Sequence, residues 1–178
     1  MIPIRSVRAS AGARSIAADL ADAADVARLA ETCAQTDVLV ANAALPGSGD
    51  VLALSVEQID RALAVNLRAP IVLSRLLVEQ MSERGSGHIV LISSLAGRTA
   101  QAGGSLYSAT KFGLRGFGQA LRADLRGRGV GVSVIFPGFI RDAGMFHDSG
   151  AKLPGFVGTN TPDDVAVAVI RAIEQDRG

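Results

Sequence analysis

Tyr107 and Lys111 stand four residues apart, so on a helix both side chains project from one face and the ammonium lies close enough to favour the phenolate. Such a pair can give and take a proton. An unperturbed tyrosine has a pKa of about 10, so bringing it near neutrality asks its surroundings for roughly 4 kcal/mol of differential stabilisation, more than one lysine usually supplies. Ser94 stands thirteen residues before Tyr107, just past the apolar run His88 to Ile92. Its hydroxyl could hold a substrate oxygen in the crevice that open α/β sheets form at the carboxyl ends of their strands. Taken singly, the three are a surface aromatic, a solvated charge and a turn residue. Taken together, they outline a proton-transfer site.

The elements that must carry them follow from the pattern of the chain. From residue 14 onward, short β-branched runs alternate with longer helical stretches, the sign of parallel strands joined by crossover helices. Ser15 to Leu20 is a candidate short strand, and Asp22 caps a helix over Ala23 to Gln35. The apolar run Asp37 to Ala41 is expected to be a strand buried on both faces. A helix opens at Ser55, whose spacing to Gln58 makes a capping box, and continues with apolar residues at Ile59, Leu63, Leu67, Leu76 and Leu77, with Pro70 interrupting it between Leu67 and Leu76. Proline has no N–H, so the carbonyl of Asn66 is expected to lose its helical partner and be free to bind something else; a plain packing kink is the other reading.

His88 to Ile92 and Val130 to Phe136 are two further strands, with a helix from about Leu106 to Arg126 between them. The stretch from Phe139 to Thr159 is irregular and long enough to be a functional lid or disordered. Phe139, Met145, Phe146, Leu153 and Phe156 within it could line an apolar pocket or belong to the core. Thr161, Pro162 and Asp164 open a last helix.

Ser94 followed by Tyr107-Ser108-Ala109-Thr110-Lys111 resembles the serine and the Tyr-x-x-x-Lys motif of the classical short-chain dehydrogenase/reductase family. The resemblance extends over nearly all of Ala13 to Gly178. Asp19-Leu20 resembles the family's adenine-side acidic motif, Asn42-Ala43-Ala44 its Asn-Asn-Ala-Gly turn, and Asn66 its helix asparagine. Pro137-Gly138, with Ile140 beyond it, resembles the turn against which the nicotinamide packs. The resemblance implies an α/β fold, a three-layer Rossmann-like parallel sheet in a single domain, and interconversion of an alcohol and a ketone with NAD or NADP. It further implies Tyr107 as general acid/base and Ser94 polarising the substrate oxygen. Lys111 would bind the nicotinamide ribose, and the main-chain carbonyl of Asn66 would hold a water that relays protons to it. A cationic oxidised nicotinamide beside the ring would supply part of what Tyr107 needs to ionise, so the chemistry is expected to require cofactor. A homodimer or homotetramer is implied as well.

Three departures stand out. The turn after the Asp37 to Ala41 strand reads Ala41-Asn42-Ala43-Ala44, so its first asparagine and its glycine are replaced. Asp142 occupies the place of a threonine that commonly contacts the cofactor, where it either opposes the pyrophosphate or faces solvent. No glycine-rich turn follows a first strand, although only glycine lets the backbone approach a pyrophosphate that closely. Gly47-Ser48-Gly49 lacks the third glycine, and Gly127-Arg128-Gly129-Val130-Gly131 precedes a strand; both read as ordinary loops. Aligned on these motifs, the chain begins about where the family's third strand begins and stops where a last strand would follow. The first two strands and helices are therefore expected to be missing and the sheet incomplete, with Ser15 to Leu20 pairing with Asp37 to Ala41, leaving the sheet or recruiting another chain. Without the upstream strands NAD and NADP cannot be told apart, and cofactor binding by this chain is in question.

Composition bounds the partners. The chain has 178 residues, 48% of them hydrophobic and 20% charged, which suffices for one compact core. A net charge of +1 with scattered arginines gives no footprint for nucleic acid or an anionic membrane, and no apolar run is long enough to span one. A small alcohol or carbonyl compound fits better. The lone Cys33 cannot form an internal disulfide and is expected to be a buried thiol, which together with the missing targeting segment in Met1 to Ala13 suggests the cytoplasm. No His/Cys cluster suggests a metal, and His88 and His147 are expected to be solvent-facing or capping. A serine hydrolase is set aside, because Ser94 sits in Leu91-Ile92-Ser93-Ser94-Leu95-Ala96-Gly97 without the leading glycine of a nucleophile elbow. From another class, a catalytically silent fragment stays open, with Gly113 and Gly116 closing helices onto a second copy.

Overall fold

The computed structural model describes residues 13–149 and 158–178. Local signals start several of its helices. Asp22 accepts from the N–H of Asp25 and opens α1 (Ala23–Thr32), which ends three residues short of the expected Gln35. After β1 (Val38–Ala41), Ser55 and Gln58 close the expected capping box at the start of α2 (Val56–Leu63). Then follow α3 (Ala69–Glu83), β2 (Gly87–Ile92), α4 (Ser105–Asp124) and β3 (Val130–Ile135). A short α5 (Gly144–Ser149) lies in the stretch expected to be irregular, and Thr161 and Asp164 cap α6 (Pro162–Glu174) reciprocally.

The sheet is parallel throughout, in the order β1-β2-β3, with Val38 opposite His88 and His88 opposite Gly131. Side chains alternate between its faces. Ile89, Leu91, Val130 and Val132 join Val26 and Ala30 of α1, Leu73, Leu77 and Met81 of α3, and Leu125 past α4 in one core cluster. The opposite face carries His88, Val90 and Ser133, and α6 packs over β2 and β3 there. Helices therefore cover both faces of a parallel sheet, the three-layer Rossmann-like arrangement.

Four expectations are corrected. Ser15 to Leu20 forms no strand; it lies outside the sheet in an irregular run that Asp19 ends in a turn, with the Asp22 N–H donating to the Asp19 carbonyl. β1 is not buried on both faces: it lies at the sheet edge, and Val38 and Val40 are 36% and 44% exposed because α6 does not reach over them. His88 is buried rather than solvent-facing, held by the Ser133 hydroxyl, whose own proton goes to the Arg177 carbonyl. Cys33, at the end of α1, is partly exposed.

Pro70 does interrupt the long helix, but by widening it. Residues Ala64–Arg68 form a π turn in which the Ala69 N–H reaches back to Ala64 O, and Asn66 lies inside this turn. Gly113 is explained within the chain, since a Cβ there would come within 2.9 Å of Leu67 on the π turn; among the described residues nothing beyond its own helix lies within 4 Å of a Cβ at Gly116. No described helix is long and apolar enough to cross a membrane.

Candidate active site

The carboxyl ends of the strands bring the predicted residues together. β2 ends at Ile92, and the next two residues are serines whose side chains point to opposite sides of an extended backbone. The Ser94 hydroxyl lies next to the Tyr107 phenol and favours its ionised form, and its Oγ accepts from the Ala96 N–H at 3.2 Å. Lys111, one helical turn beyond Tyr107, is only 2% exposed; its Nζ lies 5.5 Å from the centre of the Tyr107 ring and donates to the Ile92 carbonyl at 2.9 Å. Ser94, Tyr107 and Lys111 thus form one group at the end of β2, as their spacing predicts.

Burial sets the electrostatics. It pushes the Tyr107 phenol above its ordinary pKa, a rise that the Ser94 hydroxyl partly offsets, and it lowers the Lys111 ammonium to about 8. Lysine by itself does not bring the phenol toward neutrality here. Among the described residues no carboxylate pairs with the ammonium. A buried cation with spare N–H groups is a fitting partner for neutral hydroxyls.

The Asn66 side chain has a structural part of its own. Its side chain, 1% exposed, accepts from the Leu45 N–H at 2.6 Å and donates to the Leu45 carbonyl at 2.9 Å. It thereby holds the loop that carries Asn42, Ala43 and Ala44 off the end of β1. Gly47 continues that loop beneath α4, where its carbonyl accepts from the Tyr107 N–H at 3.3 Å. Pro137 and Gly138 follow β3, and the Pro137 carbonyl accepts from the Leu95 N–H beside Ser94. Ile140 pairs with Asn160 in a one-residue parallel bridge that sequence gave no sign of.

Other predicted residues stand elsewhere. Asp19 is gripped by the Arg61 guanidinium at 3.2 Å, and its carboxyl is held below its ordinary pKa by the Ala21 N–H and by Arg61; Leu20 packs on the core. Asp142 is exposed and pairs with Arg141. In the lid region Met145 is 39% exposed, while Leu153, Phe156 and the side chain of Phe146 lie outside the described residues. No glycine-rich turn follows a strand and no metal-binding cluster occurs among the described residues. A cavity of about 650 Å³ opens at the other end of the sheet, among His88, Arg122, Gly129 and Asp176, away from this chemistry.

A sequence model of the short chain dehydrogenases matches residues 4–154. The chain belongs to that family. It is 43% identical over 138 residues to the ketoacyl reductase HetN of Nostoc sp., covering 78% of this chain and 48% of that one. A crystal structure of a short chain dehydrogenase from Burkholderia cenocepacia in complex with NADP superimposes with a TM-score of 0.74 at 34% identity, over 89% of this chain and 68% of that one. Another solved member of the short-chain dehydrogenase/reductase family reaches a TM-score of 0.87 at 29% identity, over 94% and 72%. The chain spans about half the length, or less, of the curated relatives it matches. Within this short-chain dehydrogenase frame, sequence reasoning missed Ser93, whose Oγ donates to the Lys111 carbonyl at 2.9 Å, and the clasp of Asn66 on Leu45. Strand alternation across the Ser93-Ser94 pair is the signal that could have found the first.

Proposed function

We propose that the protein is an NAD(P)-dependent oxidoreductase that interconverts an alcohol and a ketone, with Tyr107 as general acid/base. The convergence of Ser94, Tyr107 and Lys111 at the end of β2 carries this reading. In the reducing direction Ser94 donates a hydrogen bond to the carbonyl oxygen and Tyr107 delivers the proton to it; in the oxidising direction the tyrosinate takes it back. Lys111 holds positive charge beside the phenol and offers N–H groups to the ribose of the nicotinamide nucleoside. When bound, the dinucleotide supplies or accepts the hydride. The nicotinamide side of such a cofactor fits the residues present, since a buried ammonium without an acidic partner suits ribose hydroxyls and Pro137-Gly138 lies next to Ser94. The described residues offer nothing comparable to a pyrophosphate.

The relay through the Asn66 carbonyl belongs to the same proposal, as do cofactor contacts at Asn42, Ala43, Ala44 and Ile140. So does self-association, for which Val56, Leu76 and Phe112 stand exposed on α2, α3 and α4. Calorimetric titration of the chain with NADP(H) and NAD(H) tests the core of it: heat of saturable binding supports the reading, and none into the millimolar range overturns it for this chain.

A further inference from the structure

Two consecutive serines grip one turn of α4 at its two ends. Ser94 meets Tyr107, and Ser93, 3% exposed, meets Lys111 through the main-chain carbonyl at 2.9 Å. The Lys111 ammonium returns to the same short segment by donating to the Ile92 carbonyl, so residues 92, 93 and 94 each bind the turn once. Gly97 makes this approach possible. A Cβ there would fall on the Ser93 Oγ and come within 2.8 Å of the Lys111 carbonyl, so any side chain would push α4 off the end of β2. A carbonyl inside a helix is already bonded along the axis, and the Ser93 hydroxyl adds a second, lateral bond to it.

We infer that Ser93 is a positioning residue, whose bond to the Lys111 carbonyl fixes the Tyr107–Lys111 turn against β2 and so sets the contact between the Ser94 and Tyr107 hydroxyls. The inference deepens the proposed function, on which it rests for the importance of that contact. Ser93 touches neither reacting group and acts through Ser94 and Tyr107.

Tyr107 is the chain's one tyrosine and there is no tryptophan, so tyrosinate absorbance reports this phenol alone. Read within milliseconds of a pH jump, before any alkaline unfolding, it gives the ionisation midpoint with neither substrate nor cofactor present. Loss of the Ser94 hydroxyl in S94A is expected to raise that midpoint by about 0.5 to 1 pH unit, the scale of one hydrogen bond. S93A is expected to raise it in the same direction by a similar amount. The double variant S93A/S94A is expected to lie no higher than S94A alone, since Ser93 acts through the contact that S94A has already removed.

An S93A midpoint equal to that of the unaltered chain, or effects that simply add, overturns the inference. Where far-UV circular dichroism shows S93A unfolded, S93C, which keeps the volume and weakens the donor, takes its place, and an unshifted midpoint there is equally decisive. Calorimetry with NADP(H) judges the proposed function separately. Coupled midpoints without cofactor binding would leave Ser93 as a positioning residue and remove only the activity.

Discussion

Asn66 and Leu45, 21 residues apart in the chain, exchange two hydrogen bonds: the Asn66 amide accepts the Leu45 N–H at 2.6 Å and donates to the Leu45 carbonyl at 2.9 Å. The π turn ahead of Pro70 carries the asparagine to this position. It ties the long helix to the loop after β1, on the side of the sheet where Ser94 and Tyr107 lie.

Asn66→Ala removes both partners of a backbone segment that is partly buried. Two unmet backbone groups are expected to cost about 2–4 kcal/mol, measured as a lower urea midpoint at unchanged slope. Asn66→Asp keeps an acceptor for the Leu45 N–H but loses the donor and buries a carboxylate, so it is expected to destabilise at neutral pH and to recover part of the loss in acid. An Asn66→Ala variant as stable as the parent would show that this clasp carries no weight.

Adding oxidised NADP⁺ is expected to lower the Tyr107 midpoint, because a pyridinium beside the ring favours the phenolate while burial alone opposes it. In spectrophotometric titration the tyrosinate band then grows in at lower pH with cofactor than without. Tyr107→Phe keeps the ring and removes the proton, and is expected to reduce turnover of a ketone about 10²–10⁴-fold with little change in fold. A Tyr107→Phe enzyme of full activity would remove Tyr107 from the mechanism.

How much of this was readable beforehand depended on how local each signal was. Asp22, Ser55 with Gln58, and Thr161 with Asp164 cap helices with atoms three residues away, so sequence spacing alone places them. Tyr107 and Lys111 were legible for the same reason, and Ser94 because it follows a strand. The exposure of Val38 and Val40 was not, since an apolar run looks the same at an edge as in the middle of a sheet. Pro70 announced a break, but whether the helix kinks or widens depends on what packs against it, here α4 at Gly113 against Leu67. Burial of His88 and the use of the Asn66 side chain both depend on partners 45 and 21 residues away, which no local window contains.

His88 should make the fold acid-sensitive. Burial lowers its pKa from the ordinary 6.5, with Arg122 adding to the shift and Asp176 opposing it. The unfolded chain therefore takes up a proton near pH 6.5 while the folded chain does not, so stability falls as pH drops from 6.5 toward the lower folded value. Denaturant midpoints measured across that window are expected to decline, and less so in His88→Gln, which can keep a donor toward Ser133. A His88→Gln protein with an unaltered acid limb would assign the decline to carboxylates instead.

Lys111 shapes the alkaline side in the same way. Its folded pKa of about 8 lies below the ordinary 10.5, so between these values the unfolded chain holds a proton that the folded chain has released, and stability rises with pH. Tyr107 turns this round at higher pH, because its raised pKa means that the unfolded chain ionises first and pulls the equilibrium toward itself. The combined contribution of these two groups is therefore expected to peak between the two, near the ordinary pKa values of lysine and tyrosine. Lys111→Met, which keeps the stem and removes the buried charge, is expected to gain about 1–3 kcal/mol at neutral pH and to flatten the rise above pH 8. The same variant is expected to lose turnover, since nothing then holds positive charge beside the phenol or N–H groups toward a ribose. Stability and activity moving in opposite directions would mark the ammonium as a group kept for chemistry at a cost to the fold, whereas a less stable Lys111→Met protein would show that its bond to the Ile92 carbonyl outweighs the desolvation.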